Sequence, residues 1–291
     1  MYVGRFAPSP TGPLHFGSLV AATGSFLRAR AMGGRWLVRV EDIDPPREVP
    51  GAADAILRAL EAFGLEWDGP VLYQSSRLDA YREALDALLT GGLAFACTCS
   101  RKDIAQLAGP SGVYPGTCRR RRGLPRAAHA IRVAVGETVV EFDDLLQGPQ
   151  RQDLAREVGD FVVRRADGLF AYQLAVVVDD AFQGVTEVVR GADLLDSTPR
   201  QIHLQRLLGL PTPGYLHLPV AVDAAGQKLS KQTHAAPLDP ARPLPAIAQA
   251  LRFLGLAPGP ELLEADPAAA WAWAIARFRL DHLPRRCTLP V

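Results

Sequence analysis

The chain has 291 residues, with 32 basic against 31 acidic side chains and four cysteines; at roughly 150 residues per domain this predicts two domains and a core large enough to need no disulfide framework. A hydrophobic share of 48% against 22% charged residues excludes a disordered chain, and the longest apolar run, Ala268–Ala276, excludes a membrane helix, which needs about 18 residues. A net charge of +1 excludes a global pull toward nucleic acid, and with no signal-peptide h-region after Met1 a cytoplasmic location is expected.

In chain order, Val3–Ala7 reads as a short strand entering the Pro/Gly-rich turn Pro8–Pro13. Leu19, Ala22, Phe26 and Ala29 then recur at helical spacing up to Gly33-Gly34. Trp36–Val40 reads as a buried strand. Helices are predicted over Ala52–Phe63, stopped by Gly64, and from about Ser76, with Asp79 as capping-box partner, to Gly91-Gly92. Strand, helix, strand, helix predicts an α/β fold, a parallel sheet with right-handed crossovers. Residues 93–159 hold three of the four cysteines, an arginine run and little periodicity, and read as an insertion. Beyond it Phe161–Arg164, Leu174–Val178 and Val185–Val189 read as strands, Thr198–Leu208 as a helix, and 244–254 and 268–280 as helices.

Two segments carry chemistry. In Pro8-Ser-Pro-Thr-Gly-Pro-Leu-His-Phe-Gly-Ser18 a strand runs through a tight turn into a helix, whose free N–H groups and partial positive charge are a seat for phosphate. His15 can donate to a phosphate oxygen, and Gly17 lets a flat ring approach the backbone. In Lys228-Leu-Ser-Lys-Gln232 two of the chain's three lysines flank a serine. Two ammonium groups converging on a triphosphate would stabilise charge developing on the α-phosphate. Three thiols, Cys97, Cys99 and Cys118, favour a metal over a disulfide in a cytosolic chain. Structural zinc wants four ligands, and on general grounds His129 is the conventional candidate for the fourth. Arg119–Arg122 and Arg126 follow directly and are candidate RNA phosphate contacts.

The His-x-Gly-Ser and Lys-Leu-Ser-Lys pair resembles the paired motifs of class I aminoacyl-tRNA synthetases. Gly4-Arg-Phe-Ala-Pro-Ser-Pro-Thr-Gly12, Arg39-Val-Glu-Asp-Ile-Asp44 and Arg190-Gly-Ala-Asp-Leu-Leu-Asp-Ser-Thr198 are similar to glutamyl-tRNA synthetase segments, in the family's order up to about residue 255. The resemblance implies a Rossmann-type nucleotide-binding sheet split by an inserted zinc-containing α+β domain, with a C-terminal helical subdomain. Its division would be 1–92 and 160–236 for the two catalytic halves, 93–159 for the insertion and 237–291 for a stem-contact-like helical domain. It implies a glutamate pocket of Arg5, Phe6, Ala7, Pro8, Ser9, Glu41, Tyr172 and Arg190, with Glu41 on the substrate ammonium and Arg5, Arg190 and Tyr172 on the side-chain carboxylate. Taken singly, Arg39 and Glu41 read as a surface pair and Tyr172 as a core residue preceding a strand. The resemblance places His15, Gly17 and Lys231 on ATP and gives His15, Lys228 and Lys231 the catalytic roles.

The cysteine segment resembles a subset of these enzymes in which a tyrosine, here Tyr114, completes one zinc site with Cys97, Cys99 and Cys118. On this resemblance the chain is expected to lack the large anticodon-binding half of glutamyl-tRNA synthetases. That architecture resembles the short paralogues of the family, which activate glutamate and attach it to queuosine in the anticodon of tRNA(Asp). The implied partners are L-glutamate, ATP with Mg²⁺ and the queuosine-bearing anticodon loop of tRNA(Asp), with a monomer expected. A short enzyme charging tRNA(Glu), or a non-catalytic RNA-binding relative, are the alternatives.

Overall fold

Two strands rich in Val, Leu and Phe, β1 (Val3–Phe6) and β2 (Arg35–Val40), are buried along nearly their whole length. In the computed structural model, which describes residues 1–108, 112–120, 125, 128–229 and 236–291, they pair in parallel, Val3 opposite Arg35 through Phe6 opposite Val38. Parallel strands need a crossover, here α1 (Phe16–Ala31). The helix α2 (Ala52–Ala62) ends before Gly64, whose φ of +67° favours glycine, and leads to the short strand β3 (Leu72–Tyr73), parallel to β2.

The helix α3 (Leu78–Thr90) buries Tyr81, Leu85 and Leu88. The capping box expected from Ser76 and Asp79 does not form. Gln74–Arg77 is a 3-10 turn, Ser76 Oγ donates to the Tyr73 carbonyl at 2.7 Å, and Asp79 pairs with Arg82. A carbonyl three residues back has taken the hydroxyl that would have capped the helix.

The next segment comprises β4 (Ala94–Cys97), α4 (Arg101–Ala108), β5 (Ala130–Val133), β6 (Val139–Asp144), β7 (Gly148–Asp153), α5 (Leu154–Glu157) and β8 (Phe161–Arg164). β4, β5 and β8 form an antiparallel sheet with β5 in the middle. The strand pairing thus crosses residue 160, because β8 closes the sheet begun by β4. The β6–β7 hairpin belongs elsewhere: Asp144 pairs with Tyr215 of the catalytic sheet.

The run Leu174–Val178 is helical, within α6 (Tyr172–Phe182), and not the expected strand; Tyr172 therefore opens a helix. Leu174, Ala175, Val176, Val177, Asp179 and Asp180 are all buried. A helix covered on several sides is apolar all round, and a short apolar run does not separate that case from a buried strand. β9 (Glu187–Gly191), α7 (Thr198–Leu208) and β10 (Gly214–Leu218) follow, with β9 and β10 parallel. The Thr186 N–H donates to the Val3 carbonyl at 2.9 Å and the Val3 N–H to Thr186 Oγ1 at 3.0 Å, setting the start of β9 beside the start of β1. The order β3-β2-β1-β9-β10 has the doubly wound Rossmann pattern, with its switch point between β1 and β9.

After β11 (Val220–Val222) come α8 (Pro243–Phe253), α9 (Pro267–Arg277) and an unexpected last strand, β12 (Thr288–Pro290), parallel to β11. α8 and α9 share one core with α1, in which Trp271 sits edge-on to Phe26 at 5.4 Å and donates its indole N–H to the Phe63 carbonyl at 2.7 Å. A second core lies among α3, α6, α7 and the inserted sheet. Among the described residues no helix is long and apolar enough to cross a membrane.

Candidate active site

The carboxyl ends of β1, β2, β9 and β10 open on one cleft of about 1030 Å³, at the switch point where open α/β sheets take their ligands. The segment Arg5–Ser9 lines it, together with His15, Gly17, Glu41, Tyr172, Arg190 and Lys228. Lys231 lies outside the described residues.

The walls on the β1 and β2 side form a buried ionic cluster. Arg5 reaches Asp180 with Nε at 3.0 Å and Nη2 at 3.2 Å. Arg39 donates through Nη1 to Asp180 at 2.8 Å and to Gln183 at 2.7 Å, and through Nη2 to Glu41 at 3.3 Å. Arg39 and Glu41 are thus no surface pair: the first is 0% exposed and the second 8%. Two guanidiniums face two carboxylates, so the cluster carries no net charge into the interior. Burial would raise the Asp180 carboxyl, but Arg5 and Arg39 outweigh it and hold the group below the usual carboxylate range. Burial does raise the Glu41 carboxyl, against the pull of Arg39 and Arg5. A ligand ammonium is the partner that would relieve it. The Glu41 N–H also donates to the Pro8 carbonyl at 2.9 Å, tying the end of β2 to the turn after β1.

On the β9 side, Arg190 donates through Nη1 to the Tyr172 hydroxyl at 3.1 Å, through Nη2 to Thr198 Oγ1 at 2.8 Å, and through Nε to His217 at 3.0 Å. With its oxygen accepting from Arg190, the Tyr172 hydroxyl can donate outward, so the pair offers donors suited to a carboxylate.

The phosphate end is built at the start of α1. His15 is the N-cap, and its Nδ1 accepts from the Ser18 N–H at 3.4 Å. That puts the ring proton on Nε2, the nitrogen able to donate to a phosphate oxygen. A Cβ on Gly17 would lie 3.1 Å from the His15 ring and 3.3 Å from the Leu229 carbonyl. The glycine therefore lets the two motifs meet, although more than 200 positions separate them. Lys228 forms an ion pair with Asp193.

Away from the cleft, the Sγ atoms of Cys97, Cys99 and Cys118 lie within 4.8 Å of one another, and His129 is not in the group. Cys99 and Cys118 are 3.6 Å apart at sulfur, and the Tyr114 oxygen is 3.4 Å from Cys97 Sγ. A tetrahedral zinc with ordinary bond lengths needs edges of roughly 3.5–3.8 Å, and these two separations lie close to that range, so the cluster would suit such an ion. Tyr114 is aimed by the Arg132 guanidinium 4.2 Å from its ring centre and by Phe95 behind it, and its oxygen accepts the Cys118 N–H at 2.9 Å. Burial and the neighbouring thiols push Cys99 up to about 11. Burial also opposes Cys118 ionisation, but the Thr98 amide and the Tyr114 hydroxyl bring it to about 7. In the adjoining arginine run, Arg119 is tied to Asp160; Arg121, Arg122 and Arg126 lie outside the described residues.

Sequence reasoning missed Asp180, the buried role of Arg39, and the Thr198 and His217 contacts of Arg190. A trace existed for the first two. Arg5 and Arg39 interrupt apolar strands, and Asp179-Asp180 closes an apolar run; a charge in such a place needs a partner.

A Rossmann-type sheet, a histidine-capped first helix and a lysine-bearing loop against it define a nucleotide-dependent activating enzyme. Residues 2–239 match the family model of tRNA synthetases class I (E and Q), catalytic domain, and the chain belongs to that family, whose members are ligases using ATP with Mg²⁺. It is 59% identical over 290 residues to the glutamyl-Q tRNA(Asp) synthetase of Aromatoleum aromaticum, covering 98% of this chain and 91% of that protein. Against the protein of the same name from Pseudomonas aeruginosa it is 57% identical over 289 residues, covering 99% and 97%. The crystal structure of glutamate-tRNA synthetase from Elizabethkingia anophelis superposes with a TM-score of 0.82 at 25% identity, over 100% of this chain and 68% of that one.

Proposed function

We propose that the chain activates L-glutamate with ATP, in the absence of tRNA, and transfers it to queuosine in the anticodon of tRNA(Asp). The observation that carries this reading is the convergence of Arg5, Glu41, Tyr172 and Arg190 on one cleft, beside the His15 helix start. The names and lengths of the relatives support the second half. Glu41 takes the substrate ammonium, which relieves its buried charge. Arg5 offers the Nη1 that Asp180 leaves, and Arg190 with Tyr172 completes the grip on the side-chain carboxylate.

The α-carboxylate oxygen then attacks the α-phosphorus of ATP, and the bond to pyrophosphate breaks. Charge developing on the phosphate meets His15 Nε2–H, the amides at the start of α1, Lys228 and Lys231. Mg²⁺, when bound with the nucleotide, screens the phosphate charge. A queuosine cyclopentenediol hydroxyl next attacks the acyl carbon, and AMP leaves. No protein nucleophile is needed. We further assign one zinc to Cys97, Cys99, Cys118 and Tyr114, read the chain as a cytoplasmic monomer, and divide it into two catalytic halves, an insertion and a helical end, with the β6–β7 hairpin grouped with the catalytic sheet and β8 with the insertion.

The test is ATP–pyrophosphate exchange without RNA, followed by transfer of labelled glutamate to tRNA(Asp) with and without queuosine. Exchange with glutamate alone and transfer only to queuosine-bearing tRNA(Asp) are expected. Exchange that appears only after tRNA is added overturns the first step. Charging of tRNA(Glu) in place of queuosine overturns the second.

A further inference from the structure

We infer that Asp144 and His217 form a buried positioning pair that sets the orientation of the Arg190 guanidinium, and through it the affinity and selectivity for a substrate side-chain carboxylate; the inference rests on the glutamate reading above. His217 lies on β10, with Asp144 at the end of β6, and the exposures of both side chains are 0%. Arg190 Nε carries a hydrogen under all conditions, so the His217 Nε2 that receives it at 3.0 Å must offer a lone pair. The ring proton is then on Nδ1, which donates to Asp144 Oδ2 at 2.6 Å. Asp144 Oδ1 accepts the amides of Leu146 at 3.0 Å, Gln147 at 2.8 Å and His217 at 3.2 Å. Every neighbour of this carboxylate is a donor, which keeps it ionised. Burial and Arg190 press His217 toward the neutral form, against the pull of Asp144. The unit is an anion, a neutral ring and a cation in line.

The consequence is geometric and electrostatic. With Nε held by His217 and Nη2 by Thr198 Oγ1, the guanidinium plane is fixed and Nη1 is the corner presented toward Tyr172 and the cleft. The counter-charge sits one imidazole away. A carboxylate bound directly to Arg190, as Asp180 is to Arg5, would compete with the ligand's own carboxylate. The interposed ring compensates the buried arginine and leaves its front face cationic.

The test uses the full chain labelled with ¹⁵N-histidine, alongside glutamate-dependent exchange kinetics. In the wild type, His217 should appear as the Nδ1–H tautomer, its signals assigned by their loss in His217→Gln. Asp144→Asn sets an amide N–H against Nδ1, so the ring should shift to Nε2–H, which faces Arg190 donor to donor. The glutamate KM should then rise about tenfold or more, with kcat within about threefold, and preference over glutamine should fall. His217→Ala should behave likewise, and His217→Gln, whose amide oxygen can accept from Arg190, should recover most of the loss. An Nε2–H tautomer in the wild type overturns the inference, as does a glutamate KM within about twofold in Asp144→Asn, or a loss confined to kcat. A wild type without glutamate-dependent exchange overturns the glutamate reading instead, and the tautomer of the wild-type ring still decides the pair.

Discussion

Asp180 is the acid that the two strand arginines require. Replacing it with Asn leaves Arg5 and Arg39 buried with Glu41 as their nearest counter-charge, and losing one partner of a buried pair costs about 3–5 kcal/mol. Urea unfolding of Asp180→Asn at neutral pH should read that loss. Arg5 and Arg39 depress the carboxyl in the folded state. Its contribution is therefore complete above the unfolded value of about 3.9, and disappears as pH falls through the lower folded value. Stabilities of wild type and variant should accordingly converge at acid pH; a constant gap would assign the loss to packing. Arg5, Glu41 and Arg190 were legible because each stands in a motif with a chemical task. Asp180 and His217 were not, because each acts on another protein group from over 25 positions away, and single-chain patterns carry no such pairing.

Among the elements, the strands and helices with one buried face were readable and α6 was not. Amphipathic α2 and α3 bury a stripe, which sequence periodicity reports. α6 is buried around most of its circumference, so its period is erased. Close packing of α1 is a second feature periodicity cannot report. A Cβ on Gly24 would lie 2.3 Å from Cδ1 of the buried Leu218. Gly24→Ala gains about 1 kcal/mol of helix propensity but overpacks the helix–sheet contact by about 1–3 kcal/mol. A net loss of stability is expected in thermal or urea unfolding; a gain would mean that Leu218 moves freely.

The cysteine turn was visible as a donor set, and Tyr114, whose oxygen lies 3.4 Å from Cys97 Sγ, is its proposed fourth ligand in place of His129. Metal analysis should find about one zinc per chain. Cys97→Ser should release it and expose β4, β5 and β8 to faster hydrogen exchange. Tyr114→Phe should weaken retention less than Cys97→Ser, and loss of zinc in His129→Ala with Tyr114→Phe unchanged would reassign the ligand.

At the scale of the whole molecule, chain order and spatial order part company in two places. The β6–β7 hairpin and β8 exchange the sides that a linear division gives them, because strand pairing is decided by edges that lie far apart in sequence. The other place is β12. The Val220 N–H donates to the Cys287 carbonyl at 2.9 Å and the Val291 N–H to the Val222 carbonyl at 3.1 Å, while the Ala221 carbonyl on the opposite side accepts the Leu229 N–H at 2.8 Å. β11 is thus held between β12 and the segment that carries Lys228. Removing residues 287–291 strips one side of β11, at about 1 kcal/mol per lost bond. Exchange should slow about tenfold while far-ultraviolet circular dichroism is retained; an undiminished rate would separate β12 from the lysine loop.

The place of β12 also bears on how the protein is made. Synthesis runs from the amino-terminal side, and β1, β2, β9, β10, α1 and the side chains proposed to face glutamate all precede residue 220. Those strands can pair before α8 and α9, which complete the core around α1, have been made. The support of the lysine loop comes later, since its neighbouring strand, Thr288–Pro290, is made only after β11, α8 and α9. A nascent chain would therefore hold the strands that carry the proposed amino-acid pocket before it holds a braced lysine loop, and the proposed adenylate chemistry would begin only once Thr288–Pro290 has closed against β11.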